Sequence, residues 1–171
     1  MTNVSDSRSI LVYDKGDNQL QGILPLDHKP DIEGEWIISK RGFVYKIWDS
    51  YGNKLGPQRI WKAGFNYSGL SISRSFGDFH AKKCGVISCP EIFEYILTKS
   101  DKYLVICSHG VLEFIQNEQV RDLGNAFFNK NSDIGGFCDE LVELVVHSWE
   151  QFGIIRNDFT VVCIYINSNL F

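Results

Sequence analysis

The run Val105-Ile106-Cys107-Ser108-His109-Gly110-Val111-Leu112-Glu113 joins two kinds of secondary structure. Its first three residues predict the end of an apolar strand, Ser108 and Gly110 predict a turn, and the residues that follow predict a helix. A turn at the end of a strand holds one side chain rigidly at the edge of a sheet, a usual place for a metal-binding carboxylate. In this chain the imidazole of His109 takes that place.

The remaining apolar runs predict a sheet-rich α+β domain. We expect strands at residues 9–13, 19–24, 43–48, 59–61, 92–97, 103–107 and 160–166. The first two form a predicted hairpin around the turn residues 15–18, and the last two are continuous apolar runs typical of buried strands. Residues 56–78 have little periodicity, which predicts a long loop region around the short strand 59–61.

At least two helices are expected on the faces of the sheet. Residues 32–40 predict a short helix with Asp31 as its N-cap. Apolar residues between Phe137 and Phe152 recur at helical spacing on one face. Asp133 is the predicted cap of that second helix, and Gly153 is its predicted stop.

Length and charge limit the class of protein. A chain of 171 residues fits one domain, 1–171. Its net charge of −4 predicts neither a nucleic-acid nor a membrane-surface partner. No apolar stretch approaches the ~20 residues of a membrane span, and the first residues do not resemble a signal peptide. We therefore expect an intracellular protein, cytoplasmic or nuclear.

The five cysteines indicate free thiols rather than disulfides. Their number is odd, no two form a C-x-x-C pair, and Cys107 and Cys163 lie inside apolar runs where a thiol behaves as a small hydrophobic group. The competing interpretation is a zinc site built from scattered cysteine and histidine residues. We favour free, reduced thiols.

Six segments, in order along the chain, carry a family pattern. They are Val4-Ser5-Asp6-Ser7-Arg8, Asp27-His28-Lys29-Pro30, Gly56-Pro57-Gln58-Arg59-Ile60-Trp61, Leu70-Ser71-Ile72-Ser73-Arg74-Ser75-Phe76-Gly77-Asp78-Phe79, Gly85-Val86-Ile87-Ser88-Cys89-Pro90-Glu91-Ile92 and Asn157-Asp158-Phe159-Thr160-Val161-Val162. Together they resemble the metal-dependent protein Ser/Thr phosphatases of type 2C over residues 4–166. The resemblance implies an α+β fold, the four-layer α/β/β/α sandwich of that family, with only its C-terminal part present.

The resemblance also implies a binuclear Mn²⁺ or Mg²⁺ centre in active family members, and such hard cations require carboxylate ligands. The family's first-half ligands and phosphate-holding arginine have no counterpart in this chain. Its second-half ligand positions fall on His109 and Asn157, and Glu113 and Asp158 are the nearby acidic remnants. We therefore expect no bound metal, no cofactor and no catalytic residues, so that phosphatase activity by the family's mechanism is lost.

Alternatives stay open at both positions. A shift of one residue in the alignment would restore Asp158 as a ligand, although it would misalign Thr160 and the closing strand. We interpret His109 as a turn residue in a decayed site. The other hypotheses are a rebuilt site for a softer metal such as Zn²⁺ and a role of a different kind.

The expected function follows from the lost ligands. The chain is interpreted as a pseudophosphatase or truncated phosphatase that acts by binding a protein partner or phosphoprotein. The alternative is the C-terminal half of an active Mn/Mg-dependent phosphatase that hydrolyses phosphoserine and phosphothreonine. Removing half of a sandwich would uncover apolar faces, so self-association through incomplete sheets is also expected. The residues expected to lack cover are Ile10, Val12, Val105, Val162 and Ile164.

Other polar residues in the family-like segments receive structural roles. We expect Arg74 and Asp78 to hold their loop in a hydrogen-bonded network, and Asp27 and His28 to form a turn and cap a helix. The stretch 66–69 corresponds by resemblance to the flap beside the family's active site, a region suited to partner selection.

Overall fold

The structure is a computed structural model that describes residues 1–14, 20–21, 27–62, 64, 69–130, 134–153 and 157–167. Helices and strands both occur, which confirms the α+β class. In chain order they are β1 (Thr2–Asn3), β2 (Arg8–Asp14), β3 (Leu20–Gln21), α1 (Gly34–Ser39), β4 (Gly42–Trp48), β5 (Lys54–Lys62), α2 (Phe79–Lys82), β6 (Glu91–Ile92), β7 (Asp101–Cys107), α3 (His109–Leu112), α4 (Asn117–Asn129), α5 (Ile134–Phe152) and β8 (Val161–Tyr165).

The chain divides into two compact units. The first unit comprises Met1–Asp6 and Leu26–Ile92, and the second comprises Ser7–Pro25 and Phe93–Phe171. No helix in the described part of either unit has the length and apolar character needed to cross a membrane.

The second unit is built on a four-stranded antiparallel sheet in the order β3-β2-β7-β8. The predicted hairpin is confirmed where β2 pairs with β3, although the turn residues 15–18 lie outside the described residues. β7 lies between β2 and β8, so the strand that precedes His109 is paired along both edges. This central position fixes where β7 ends.

Helices α4 and α5 contribute to a core on one face of this sheet. The core residues of the second unit are Ile10, Val12, Tyr103, Val105, Cys107, Val111, Ile115, Val120, Phe137, Leu141, Val145 and Trp149. The hydroxyl of Tyr103 lies 2.9 Å from the carbonyl oxygen of Arg121 and 2.8 Å from Oδ1 of Asn125. A Cβ at Gly124 would lie 2.6 Å from that hydroxyl, so α4 needs a glycine there.

The opposite face of the sheet is partly exposed, which corrects two expectations. The predicted burial of β7 and β8 is wrong because Ile106, Val162 and Ile164 are 37%, 45% and 48% exposed. The expected exposure of Val162 and Ile164 is present, whereas Ile10, Val12 and Val105 are buried. An apolar run indicates which side chains favour burial but does not reveal whether both faces are covered.

Sequence patterns predicted α5 but missed α4. The α5 helix agrees with the expected apolar periodicity, and it is followed by Gly153 at φ +63°, while Asp133 lies outside the described residues. The α4 helix starts with a capping box in which Gln116 and Gln119 exchange side-chain and backbone hydrogen bonds. Glutamine at the N-cap is outside the usual Ser/Thr/Asp/Asn signal, which explains the omission.

In the first unit, β4 and β5 form an antiparallel hairpin that packs with α1. Its core residues are Ile37, Ile60, Cys84 and Val86. The strand predicted at 59–61 is confirmed, but it is longer than expected: β5 begins at Lys54, so the first part of the predicted loop 56–78 is strand. Gly56 at φ +64° and the adjacent Pro57 interrupt the apolar alternation, so the sequence conceals the first part of this strand.

Two predicted boundaries in the first unit are also wrong. Helix α1 begins at Gly34 with Glu33 at the N-cap, because Ile32 and Glu33 donate backbone hydrogen bonds to Lys29 in a preceding turn. The predicted strand 92–97 is reduced to Glu91–Ile92, which pairs with β1. Local β propensity is weak evidence where no second strand lies alongside.

Leu141→Ala should lower the free energy of unfolding of the chain by about 2–5 kcal/mol, because a fully buried leucine leaves a cavity when it is shortened. Leu144→Ala, one turn further along α5, is the matched control because Leu144 is 37% exposed. Urea unfolding followed by circular dichroism measures both. Equal losses for the two variants would contradict this assignment of the core face.

Candidate functional site

The turn that carries His109 is held to the segment before β8 by two hydrogen bonds. The backbone N–H of Ser108 donates to the carbonyl of Thr160 at 3.1 Å, and the N–H of Thr160 donates to Oγ of Ser108 at 2.9 Å. Ser108 has an extended backbone conformation and is the N-cap of α3, so His109 is the first residue of that helix. The turn is therefore fixed from both sides.

Close backbone packing brings the second predicted position to the same end of the sheet. A Cβ at Gly110 would lie 2.5 Å from the carbonyl oxygen of Asp158, and Nε1 of Trp149 donates to the carbonyl of Gly110 at 2.9 Å. Asn157 and Asp158 are both exposed. The structure thus places the His109 turn beside the backbone of the segment that carries Asn157 and Asp158.

His109 is engaged by the acidic remnant four residues later. Its Nε2 atom lies 3.0 Å from Oε2 of Glu113, and both side chains are partly exposed. A ring nitrogen that donates a hydrogen bond to a carboxylate carries a hydrogen and offers no lone pair to a metal ion. The contact therefore directs Nε2 of His109 and one carboxylate oxygen of Glu113 towards each other.

The described donor groups around His109 do not by themselves fit a binuclear centre of hard cations. Such a centre needs several carboxylates converging on two ions. Within the described residues, no three side chains of His, Cys, Asp or Glu lie close enough together to hold a metal ion. We therefore derive no catalytic step through Mn²⁺ or Mg²⁺ for this chain.

The thiols near this end of the sheet are also poor ligands and nucleophiles. Burial raises the pKa of Cys107 to about 12 and that of Cys163 to about 12. Thiolate, rather than thiol, binds metals and attacks electrophiles, so both cysteines stay protonated at neutral pH. All five cysteines are free, as expected from the sequence.

In the first unit, Arg74 belongs to a partly buried polar network. Its guanidinium donates to both carboxylate oxygens of Glu33 and to the carbonyl of Cys89, and Oγ of Ser73 lies 2.6 Å from Oε2 of Glu33. Burial alone would raise the pKa of Glu33, but the hydrogen bonds from Arg74 and Ser73 outweigh it and lower that pKa below its ordinary value. The structural role expected for Arg74 agrees with these contacts.

Asp78 and His28 differ from their expected roles. The side chain of Asp78 is exposed, and its backbone carbonyl accepts hydrogen bonds from Ala81 and Lys82. His28 is buried, with Nδ1 3.1 Å from the backbone nitrogen and oxygen of Ser5. It joins the N-terminal segment to the network and caps no helix, whereas Asp27 accepts a turn hydrogen bond from Lys29 as predicted.

Sequence reasoning missed two partners in this unit. Glu33 lies in the first turn of the predicted helix, where the sequence does not indicate that it pairs with Arg74. The sequence also gives Asp6 no predicted partner, yet Nζ of Lys29 lies 2.5 Å from Oδ2 of Asp6. Of these residues, Lys29 could have been singled out from the sequence, because it belongs to the family-like segment Asp27–Pro30. Of the predicted flap stretch 66–69, only Gly69 is described, and it packs against Trp61.

The α+β fold, with a strand-end turn beside the segment that precedes the last strand, agrees with the fold that the resemblance to the type 2C phosphatases implies. The family profile described as Protein phosphatase 2C matches residues 1–148. The chain therefore belongs to the protein phosphatase 2C family.

Relatives and solved structures agree with this assignment. "Probable protein phosphatase 2C 73" of Arabidopsis thaliana is 29% identical, over 99% of this chain and 44% of its own length. "Probable protein phosphatase 2C 61" of the same plant is 31% identical, over 98% of this chain and 50% of its own length. A crystal structure of serine-threonine phosphatase 2C from Toxoplasma gondii superposes with a TM-score of 0.78 at 18% identity, covering 96% of this chain and 53% of that one.

These comparisons have two consequences. The structural similarity shows that the chain has the type 2C fold. The chain also spans about half the length, or less, of the first curated relatives that it matches.

Glu33→Gln should lower the free energy of unfolding by about 1–3 kcal/mol at neutral pH, because it removes a charge-assisted hydrogen-bond acceptor from Arg74 and Ser73. Because folding lowers the pKa of Glu33, its contribution is complete above the ordinary value of 4.5 and is lost as the pH falls through the lower folded value. Urea unfolding at a series of pH values measures the difference.

Glu35→Gln on the same helix is the control, since Glu35 is exposed. It should change stability by less than about 0.5 kcal/mol. A wild-type advantage over Glu33→Gln that grows on acidification would show that the Glu33–Arg74 pair does not stabilise the fold.

Proposed function

We propose that this phosphatase 2C-like domain is a pseudophosphatase that acts by binding a protein partner or phosphoprotein. The observation that carries the proposal is the contact between Nε2 of His109 and Glu113 at 3.0 Å. This contact lies at the turn where the family resemblance puts a metal-binding aspartate.

The second ligand position supports the same conclusion. Asn157 has an amide oxygen but no negative charge, and Asp158 is an exposed carboxylate on the neighbouring residue. A single carboxylate cannot neutralise two divalent cations or fix the water between them. The His109 and Asn157 substitutions therefore act together against a binuclear centre.

The alternative is that the chain is the C-terminal half of an active Mn/Mg-dependent protein Ser/Thr phosphatase. Matches over about half the length of relatives named as probable phosphatases favour it. Even with a complete first half, however, His109 and Asn157 would replace the two second-half carboxylates. We prefer the pseudophosphatase for that reason.

Mn²⁺ titration by calorimetry should give no saturable binding heat, and a phosphoserine peptide should not be hydrolysed by the same sample. The physical reason is the shortage of carboxylate donors at the His109 turn. Tight Mn²⁺ binding with turnover that is lost in Asp158→Ala, but retained in Asp139→Ala, would overturn the proposal. Asp139 is the matched control because it is an exposed aspartate on α5.

We also propose self-association through the exposed face of the β2–β7–β8 sheet. Ile106 pairs with Val162 across β7 and β8, and Leu104 pairs with Ile164, so these four side chains form a continuous apolar surface. Exposed apolar patches of this kind favour contact with a second molecule.

Light scattering at micromolar concentration should therefore report a dimer or larger species. Ile164→Lys should shift the chain towards the monomer, since a lysine within the contact would lose its hydration. Ile38→Lys is the control, because Ile38 is an exposed isoleucine on α1. A clean wild-type monomer with a cooperative melt would contradict self-association.

A further inference from the structure

The β4–β5 hairpin has an exposed apolar face in the first unit. Cross-strand pairs Phe43–Trp61, Tyr45–Arg59 and Ile47–Leu55 share one side of the hairpin, because side chains alternate along a strand. Phe43, Tyr45, Ile47 and Leu55 are between 41% and 50% exposed. These six residues are called the hairpin face below.

Several contacts hold the hairpin face in one conformation. The rings of Tyr45 and Trp61 stack with centroids 5.0 Å apart at 9°, and Nε1 of Trp61 donates to the carbonyl of Tyr45 at 3.0 Å. Nη1 of Arg59 donates to the carbonyl of Gly69 at 2.8 Å. A preorganised apolar surface loses little side-chain entropy when a ligand binds.

The charge of this region is opposite to that of the whole chain. Six cations and one acidic residue lie between Lys40 and Lys62, whereas the chain carries a net charge of −4. The acidic residue, Asp49, accepts hydrogen bonds from the backbone of Tyr51 and Asn53 within its own turn. The hairpin therefore presents positive charge beside an apolar surface.

A cavity adjoins the hairpin face and shares Arg59 and Trp61 with it. Its volume is about 370 Å³, and Leu70, Ala81 and Cys84 supply apolar wall. This volume lies at the small end of the range of ligand pockets and suits a single apolar side chain. His80 and Lys62 also line it.

We propose that the hairpin face docks an extended, acidic and apolar peptide segment of a partner protein. Apolar side chains of the segment would cover the hairpin face and enter the cavity, while its carboxylates would meet the surrounding cations. The inference rests on the proposed binding function and gives that function a surface and a chemical class of partner.

The same features fit other macromolecules less well. The six cations between Lys40 and Lys62 attract phosphates as well as carboxylates, but nucleic acid offers no aliphatic side chains to cover Phe43, Ile47 and Leu55. An anionic membrane would attract the hairpin but repel the rest of the chain, because the whole chain carries a net charge of −4. An acidic peptide with apolar residues matches both the charge and the surface.

Fluorescence polarisation of a labelled, unphosphorylated peptide that alternates Glu or Asp with Leu or Phe tests the proposal with the full chain. Saturable binding is expected, and it should weaken as salt is added. Phe43→Ser should weaken binding at least tenfold, whereas Phe76→Ser should not, since Phe76 is an exposed phenylalanine outside the hairpin. Lys54→Glu should weaken binding, and Lys99→Glu in the second unit should leave it unchanged.

Three results would overturn the proposal. One is the absence of saturable binding at millimolar peptide. Another is equal loss of binding in the Phe43 and Phe76 variants. The third is stronger binding to phosphatidylserine vesicles or a single-stranded RNA oligomer than to the peptide. Mn²⁺ calorimetry on the same sample tests the pseudophosphatase proposal separately, because His109 and the hairpin belong to different units. A peptide that does not bind would overturn the docking proposal, whereas tight Mn²⁺ binding would count against the pseudophosphatase.

Discussion

The packing of Tyr103 beneath α4 is the contact on which the second unit depends. Tyr103 lies in β7, which is paired along both edges, and its ring meets Phe128, Phe137 and Tyr165. Its hydroxyl lies within hydrogen-bond distance of backbone and side-chain oxygens of α4. Burial raises the pKa of this phenol, so it stays neutral and retains its hydrogen. Because β7 is fixed at its centre, the place where it ends is fixed as well.

That arrangement separates the stability of the domain from its chemistry. The core lies along β2, β7 and the helices, whereas His109, Asn157 and Asp158 lie at or near the strand ends and are wholly or partly exposed. Substitution at exposed positions usually changes stability little. The fold of the second unit therefore tolerates a change of residue type at these positions.

The two units differ in how they use polar groups. In the first unit, Arg74, Glu33 and Ser73 form a largely buried network that fixes the loop before α2, so burial of charge is compensated by hydrogen bonds. In the second unit, the partly exposed His109–Glu113 pair has a position set by the turn and contributes little to stability. The first arrangement holds a loop in place, while the second lies at a partly exposed turn.

Sequence alone determined the family motifs and the apolar periodicity of α5, because these depend on residue identity and spacing. By resemblance it also predicts that two ligand positions of the family fall on His109 and Asn157. It missed α4, the full length of β5 and the N-cap Glu33, since glutamine caps, Gly56 and distant partners leave no local pattern. Tertiary structure alone decided that Ile106, Val162 and Ile164 lie on an exposed face and that Glu33 pairs with Arg74. Burial and pairing depend on what lies opposite a side chain, and residues far apart in sequence decide that.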